Sequence, residues 1–316
     1  MSASARAMGR RRVLYLYNAP DWAIHNVGRD WAALVHGTHD FTLMRFGQHE
    51  HEDPNAYDHV VWGYSTMRYS GRMLLESLTR RPAAWWRWRN HARERFAAVV
   101  QDPSEVFPQV ADWKHAPARL AHLRGFQRLA VTSNEMRETL ASLGHRAVQV
   151  STRSLLPLRA ADGIVPEPLR VFTRAQNYPR KNLPLFRALQ GRMAGSLDRC
   201  DALLGGGVMP QAEYVQQVDR YNCYVCTSWQ EGGPLPLMDA MRRGCVVLTT
   251  RVGQTDELIE HGVNGFFCAS EIEFTERLRE LSADPERLRT MRLQALARAG
   301  VDNEERVRAQ LREFLP

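Results

Sequence analysis

The sequence predicts an α/β protein made of two domains, and three observations lead to this prediction. Short apolar runs alternate with amphipathic helical segments along most of the chain, a pattern typical of parallel sheets covered by helices. The 316 residues are enough for two α/β domains of ordinary size. A stretch near the middle, 155–168, contains three prolines and few periodic apolar residues, which indicates a linker.

The first half alternates apolar runs with polar connections. Residues 18–28 read as a polar loop, and Ser133 is a good N-cap for a helix that ends at Gly144. We predict strands at 13–17, 41–46, 59–62, 96–100, 129–132 and 146–150, with helices at 29–36 and after Ser133.

The second half repeats this alternation and ends in helices. Pro236 stands at a plausible first helical position, Gly244 stops that helix, and Asn264-Gly265 reads as a turn. We predict strands at 169–173, 202–204, 224–227 and 246–249, and helices at 183–189, 210–218, 271–283, 286–299 and 304–315.

Composition narrows the classes of function. The net charge is +7 and the pI about 9.4. This positive charge could attract nucleic acid, an anionic membrane or an anionic substrate, although a solvated basic surface is the simplest interpretation. No nucleic-acid-binding module is recognisable. The first apolar run is too short for a signal peptide, and no segment approaches the roughly 20 apolar residues of a membrane span. We therefore expect a cytoplasmic protein.

The five cysteines are scattered along the chain, as expected in a reducing compartment. Cys223 and Cys226 have the spacing of a metal or redox pair. They fall in a predicted strand, where residues three apart point to opposite faces, so we expect no metal site there. His49 and His51 also resemble a metal pair, but an exposed loop is the simpler expectation.

The stretch 228–265 carries the strongest functional signal, because it reads as strand, glycine loop, helix and strand. A glycine-rich loop at a helix N-terminus offers backbone N–H groups to a phosphate. Glu231 and, eight residues later, Asp239 are carboxylates that can accept hydrogen bonds from sugar hydroxyls. The combination suits a nucleotide sugar. The alternative is an ordinary α/β turn with a capping Glu and a surface Asp.

The segment EGGPLPLMDAMRRGCVVLTTRVGQTDELIEHGVNGF resembles the donor-binding segment of retaining glycosyltransferases of family 4. The resemblance is strong over 214–267, moderate over 171–189 and weak before Leu129. It implies the GT-B fold, in which two Rossmann-like domains face each other across a cleft and C-terminal helices follow. The implied divisions are 1–157 on the acceptor side, a linker at 158–168, a nucleotide-sugar-binding domain at 169–295, and a last helix, 296–316, that crosses back to the first domain.

The resemblance also implies roles for individual residues. Arg174 and Lys181 match the family's cations that neutralise the donor diphosphate, and Glu231 completes the expected catalytic set. Cations at a helix start are mildly unfavourable, which favours the functional interpretation of Lys181. In this sequence Asp239 stands where the family has a second Glu. The expected donor-binding residues are Ser228, Arg180, Gly232, Gly233, Pro234, Leu235 and Asp239.

The acceptor side departs from the family pattern. Family members usually have paired glycines after the first strand, where this chain has Asp21 and Trp22. Gln101 stands where relatives often have a His near the donor sugar, and a Gln cannot carry a proton. Asp102 follows and could contact the acceptor. These four residues are the expected cleft or acceptor contacts.

Basic residues are interleaved with tryptophans in the segment 65–95, around Trp85, Trp86 and Trp88. This composition suits a membrane interface, and many relatives act on lipid-linked acceptors at the inner membrane face. The main alternative is a helix packed on the first sheet, and stacking against acceptor sugars is a third.

The resemblance implies transfer of a sugar from a nucleoside diphosphate sugar to a saccharide or lipid-linked acceptor, with retention at the anomeric carbon, in polysaccharide or glycoconjugate biosynthesis. It also implies no cofactor and no metal requirement. One rival is a catalytically silent GT-B protein that only binds a sugar nucleotide, motivated by Gln101 and Asp239. Another is a dinucleotide-dependent Rossmann enzyme, but no G-x-G-x-x-G follows an early strand.

Overall fold

The computed structural model describes residues 9–21, 23–65, 88, 93–101, 103–107, 120–175, 178–204, 209–301 and 304–316. These residues form two separate parallel β-sheets with helices around them. Each sheet has its own hydrophobic core on both faces, which is the arrangement that nearly continuous apolar strands require. The prediction of two α/β halves is therefore confirmed.

The first sheet has six strands in the order β2-β1-β3-β4-β5-β6, and all neighbours are parallel. Its central strands β3 and β4 are buried along their length and are apolar except for His59 at the start of β3. The strands are β1 Arg11–Tyr17, β2 His39–Arg45, β3 His59–Trp62, β4 Phe96–Val100, β5 Arg128–Val131 and β6 Val148–Gln149, and the helices are α1 Ala23–Val35 and α2 Asn134–Ser142.

Helix α1 begins at Ala23, six residues before the predicted start, so the predicted polar loop over 18–28 is correct at 18–21 and wrong from Ala23 onward. Val27, Trp31 and Leu34 lie one turn apart and are buried against the first sheet. The free energy gained by burying these apolar side chains outweighs the preference of the polar residues between them for a loop. Ser133 caps α2 as predicted, since its hydroxyl accepts a hydrogen bond from the Met136 amide at 3.3 Å.

The second sheet has five parallel strands in the order β11-β10-β9-β7-β8. Its strands are β7 Arg170–Ala175, β8 Arg199–Leu204, β9 Cys223–Cys226, β10 Val246–Thr249 and β11 Gly265–Phe267. The helices that follow are α3 Leu183–Arg192, α4 Gln211–Val218, α5 Leu235–Arg242, α6 Thr255–Leu258, α7 Glu271–Ala283, α8 Pro285–Gly300 and α9 Glu304–Phe314.

Two sequence predictions for this half have opposite outcomes. The turn predicted at Asn264-Gly265 is wrong in part, because Gly265 opens strand β11 beside β10. Cys223 and Cys226 lie in β9 and belong to the cores on opposite faces of the sheet. Their side chains therefore diverge as predicted.

The last helix, α9, packs on the first sheet rather than on the second. Val307, Leu311 and Phe314 are fully buried in the core that contains Trp31. The Nε2 atom of His39 lies 2.8 Å from the Leu315 carbonyl oxygen, which fixes the end of the chain on this half. The chain thus passes between the halves twice, before β7 and between α8 and α9.

Trp88 and His49 lie in the core of the first half. Trp88 is 8% exposed, and its ring packs edge-on against His49 and Trp62. Burial lowers the pKa of His49 to about 4. The exposed loop predicted for His49 is therefore wrong, and Trp88 is not available as a membrane contact. Trp85 and Trp86 lie outside the described residues. No helix in the described part of the chain is long and apolar enough to cross a bilayer.

The carboxyl ends of the two sheets face each other. Segments that follow β4, β5 and β6 meet segments that follow β9 and β10, and side chains hydrogen-bond across the junction. The Glu257 carboxylate accepts from the Asn134 amide at 3.1 Å and from the Gln149 side chain at 2.8 Å. This edge-to-edge arrangement places the loops of both halves around one cleft.

Candidate functional site

The candidate site lies where the strand order of the second sheet reverses. The chain runs from β7 outward to β8, then returns to the other side of β7 to form β9. In open parallel sheets the crevice at the carboxyl ends of such strands is the usual ligand site. Arg174 is the penultimate residue of β7, and Ser228 and Glu231 follow β9.

Glu231 is the centre of a buried ionic cluster. Its side chain is only about 7% exposed, and its Oε1 atom accepts from the Lys181 ammonium and, at 2.7 Å, from the Ser228 hydroxyl. Its Oε2 atom lies 3.3 Å from Nη1 of Arg180. Lys181 and Arg180 therefore both pair with the Glu231 carboxylate.

Burial by itself raises the pKa of Glu231, but the charges of Lys181 and Arg180 and the hydrogen bonds from Lys181 and Ser228 outweigh it, so the pKa is lowered. The carboxylate is thus held ionised at neutral pH. An ionised carboxylate is acceptor-only, which is the chemistry that a ligand hydroxyl needs.

A short turn at Pro179–Lys181 presents the two cations to Glu231. Asn182 ends this turn in the left-handed conformation, with φ of 47°. The Thr227 hydroxyl donates to the Lys181 carbonyl at 3.0 Å, and the Trp229 amide donates to the Arg180 carbonyl at 2.9 Å. The turn is therefore fastened to the segment after β9, so the cations and the carboxylate move as a unit.

Arg174 contacts side chains of helix α4. Its guanidinium carbon lies 4.3 Å from the centroid of the Tyr214 ring, and its Nη1 atom is 3.5 Å from the Gln217 side-chain oxygen. Arg174 also favours the charged form of Asp239. The structure therefore pairs Lys181 with Glu231 and Arg174 with Tyr214 and Asp239, at the same edge of the sheet.

Asp239 lies on α5 and is surrounded by protein atoms, although part of its side chain stays accessible. The Ser154 hydroxyl, from the segment that leaves the first half, donates to its Oδ1 atom. Burial raises its pKa to about 6, while Ser154, Tyr214 and Arg174 limit the rise. Asp239 therefore titrates close to neutral pH.

Gly232 and Gly233 lie at the closest approach of the two halves. A Cβ atom on Gly232 would stand 1.4 Å from the Gln101 carbonyl oxygen, and one on Gly233 would stand 1.8 Å from the Thr152 hydroxyl. Any side chain here would push the halves apart. Pro234 and Leu235 follow directly. The Pro234 carbonyl accepts hydrogen bonds from the backbone amides of Leu237 and Met238 in the first turn of α5.

On the acceptor side, Gln101 is held by the loop after β3. Its side-chain amide donates to the Gly63 carbonyl at 2.9 Å, and its backbone amide donates to the buried carboxylate of Glu105, which also accepts from Ser65. Asp21 is exposed at the end of β1, with a φ of 56° and an ion pair to Arg29 at 3.7 Å. Trp22 and Asp102 lie outside the described residues.

Three residues that the sequence did not indicate as site residues also contribute to the site. Tyr214 supports the Arg174 guanidinium, Ser154 holds Asp239, and Gln254 joins the glycine loop to Thr152. Tyr214 carried a weak signal, because it is an aromatic residue on an amphipathic helix inside the resembling segment. Within the described residues, no three His, Cys, Asp or Glu side chains come together as a metal site.

Comparison with known proteins locates a family signature in the second half. Residues 206–298 match the family model of glycosyl transferases group 1, and this segment contains Glu231, the glycine loop and Asp239. No curated protein matches the chain.

Solved structures of low sequence identity share the architecture. Sucrose-phosphate synthase from Thermosynechococcus elongatus has a TM-score of 0.66 at 14% identity, over 96% of this chain and 98% of its own. Anabaena HepE in complex with UDP gives 0.62 at 14%, over 96% and 99%. The pneumococcal O-GlcNAc transferase GtfA in complex with UDP and GlcNAc gives 0.58 at 14%, over 81% of this chain.

The chain spans 56% of the GtfA chain, so that likeness extends over only part of the larger protein. The two parallel sheets, their facing carboxyl ends and the neighbours that share them lead to one conclusion. The protein has the GT-B fold of two Rossmann-like halves, and its second half carries the glycosyl transferases group 1 segment.

Proposed function

We propose that the protein is a glycosyltransferase that moves a sugar from a nucleoside diphosphate sugar to a saccharide or lipid-linked acceptor. One observation carries this proposal: the buried cluster in which Lys181 and Arg180 both pair with the carboxylate of Glu231. Arg174 adds another cation at the same sheet edge. The negative charges of a diphosphate would attract these cations.

The roles of the side chains follow from their charges. Lys181, Arg180 and Arg174 would hold the diphosphate and stabilise the charge that develops on it as the bond to the sugar breaks. Glu231, ionised and acceptor-only, would take hydrogen bonds from sugar hydroxyls. Asp239 would accept from a ribose hydroxyl in competition with Ser154.

Transfer with retention at the anomeric carbon belongs to the same proposal. In the described part of the site, Glu231 is already paired with two cations, which makes it a poor covalent nucleophile. Attack by the acceptor on the face that the diphosphate leaves, with a phosphate oxygen taking the acceptor proton, needs no protein nucleophile. A role in polysaccharide or glycoconjugate biosynthesis is the corresponding pathway proposal. We further propose that the reaction needs no metal, so full transfer should persist in excess EDTA.

A panel of UDP, GDP, ADP, CDP and their sugars in a thermal-shift assay tests donor binding. One selective nucleotide at a hundred times its Kd should stabilise the protein by roughly 2.7 kcal/mol. Glu231→Gln should keep nucleotide binding but lose sugar transfer. No response to any nucleotide would contradict the proposal.

A second candidate is a GT-B protein that binds a sugar nucleotide without transferring the sugar. Gln101 favours it, because its amide is committed to the Gly63 carbonyl and cannot carry a proton. Release of free sugar or a glycosylated product by the wild type, absent in Glu231→Gln, would exclude this candidate.

A further inference from the structure

A second basic cavity lies at the junction of the two halves, apart from the Glu231 cluster. Its volume is about 410 Å³, and its walls come from the segment after β6, from α5 and α6, and from the ends of α8 and α9 that face each other. None of Arg174, Lys181 and Glu231 lines it. Ser154 and Gln254 line it, so the cavity adjoins the candidate site, but it does not include these residues of the proposed diphosphate grip.

Four arginines line this cavity, and two of them already have carboxylate partners. Arg153 forms hydrogen-bonded ion pairs with Asp30 at 2.7 Å and with Glu304 at 2.8 Å. Arg306 lies 3.9 Å from the carboxylate of Glu257. The charges of these two side chains are thus compensated within the protein.

Arg242 and Arg298, the other two, donate to backbone carbonyls instead. Arg242 bonds to the carbonyls of Leu156 and, at 3.2 Å, of Ala299, and Arg298 bonds to that of Glu257. Among the residues that the structure describes, neither forms an ion pair with a carboxylate. Burial and repulsion from Arg153 lower the pKa of Arg242, and attraction by Asp239 offsets only part of this effect, so a bound anion would further favour the charged form of Arg242.

Part of the cavity wall is apolar. Leu155 and Val301 line it and are 46% and 50% exposed, while Met238 and Met241 form a buried part of the wall. Arg242 and Arg298 are two guanidinium groups on one cavity wall, and guanidinium groups bind phosphate oxygens well. The apolar part of the wall matches an alkyl or similar group attached to a phosphate.

We propose that this cavity is a second anion site that binds a phosphate monoester, with the phosphate between Arg242 and Arg298 and its apolar substituent against Leu155 and Val301. The site does not depend on the proposed transferase function. The phosphate monoester could be a soluble metabolite or a lipid headgroup, and both would present the same group to the arginines.

Calorimetric titration with hexyl phosphate tests the site. We expect hexyl phosphate to bind about 15- to 60-fold more tightly than inorganic phosphate, because two or three methylenes would be buried. It should also bind more tightly than hexanoate, which carries one charge. Equal affinity for hexanoate and hexyl phosphate, or for inorganic and hexyl phosphate, would overturn the proposal.

Variants separate this cavity from the diphosphate grip. Arg298 is exposed, so Arg298→Gln should fold and should weaken hexyl phosphate binding about tenfold. Arg289→Gln is the matched control, because Arg289 lies on the same helix and also donates to a carbonyl, that of Ile164 at 3.2 Å. Lys181→Met should leave hexyl phosphate binding unchanged. Binding that is lost in Lys181→Met and kept in Arg298→Gln would overturn the assignment.

Vesicles of phosphatidylcholine with an equal part of phosphatidic acid distinguish the two sources. Retention that Arg298→Gln abolishes and Arg289→Gln preserves would support a lipid headgroup. Hexyl phosphate binding without vesicle retention would support a soluble ligand. Absence of both would overturn the site.

Discussion

Gly232 and Gln101 bring the two halves of the molecule into contact, since a single added carbon on Gly232 would stand 1.4 Å from the Gln101 carbonyl oxygen. Both residues belong to loops at the carboxyl ends of their sheets. The sequence predicts that the glycine loop binds a phosphate. The structure adds a second reason for glycine here, which is close packing between the halves.

The first prediction concerns this contact. Gly232→Ala should destabilise the protein by about 3 kcal/mol, or open the junction, because the clash is with backbone rather than with a flexible side chain. Urea unfolding and small-angle scattering would measure the two effects. Gly191→Ala is the control, since Gly191 is exposed on α3 with nothing within 4 Å of an added Cβ; it should gain about 0.5–1 kcal/mol. Similar behaviour of the two variants would contradict the close contact.

The second prediction concerns Lys181. Lys181→Met leaves Glu231 buried with one cation fewer, which should cost about 2 kcal/mol of stability and lower kcat/KM for donor use about a hundredfold. Chemical denaturation and a transfer assay would measure these losses. Arg192→Met removes an exposed partner of Glu271 and should cost less than about 1 kcal/mol. An unchanged kcat/KM in Lys181→Met would contradict the proposed role.

The third prediction is a pH dependence from Asp239. Its folded pKa is raised to about 6, above the value of about 3.9 in an unfolded chain. Between these values the folded state holds the extra proton, so ionisation of Asp239 costs stability as the pH rises through this window, and the cost is constant above it. Asp239→Asn avoids this cost, so its stability relative to the wild type should rise with pH and then level off.

Urea unfolding of both proteins at a series of pH values would measure that difference. Ser154→Ala should move the window to higher pH, because the Ser154 hydrogen bond favours the charged form of Asp239. A stability difference that does not change with pH would contradict the raised pKa.

The fourth prediction concerns Trp88. Because Trp88 is buried against Trp62, Phe96 and His49, Trp88→Ala should cost about 3–5 kcal/mol. Trp88→Phe should cost less, since it keeps an aromatic ring and removes a buried indole N–H for which the described residues offer no hydrogen-bond partner. Denaturant titration would measure both. A stability loss below about 1 kcal/mol in Trp88→Ala would contradict burial in the core.

Most elements were predictable because their sequence signals are local. The strand at 59–62, the Ser133 cap and the helix at 271–283 follow from apolar runs and capping chemistry. The start of α1 and strand β11 were missed for a different reason. Their apolar residues become informative only when a neighbouring sheet or strand is known, as with Gly265 beside Val247.

The candidate site was likewise predictable only in part. The motif singled out Lys181 and Glu231 for a diphosphate and a sugar, and in the structure these two side chains contact each other. Nothing in the sequence indicated that Ser154 would bond to Asp239, because the two residues are 85 positions apart and the contact depends on how the linker crosses the junction. Pairings of this kind arise from tertiary packing rather than from local pattern.

The double passage of the chain between the halves has a mechanical consequence. Two bodies that are joined by two chain connections can still rotate relative to each other about the line that passes through both connections. The arginine-lined cavity touches both passages, through Thr152–Leu155 on one and through Gly300 and Glu304 on the other. A ligand bound in this cavity would therefore contact both connections. It would restrict the rotation of one half relative to the other, and so the opening of the cleft.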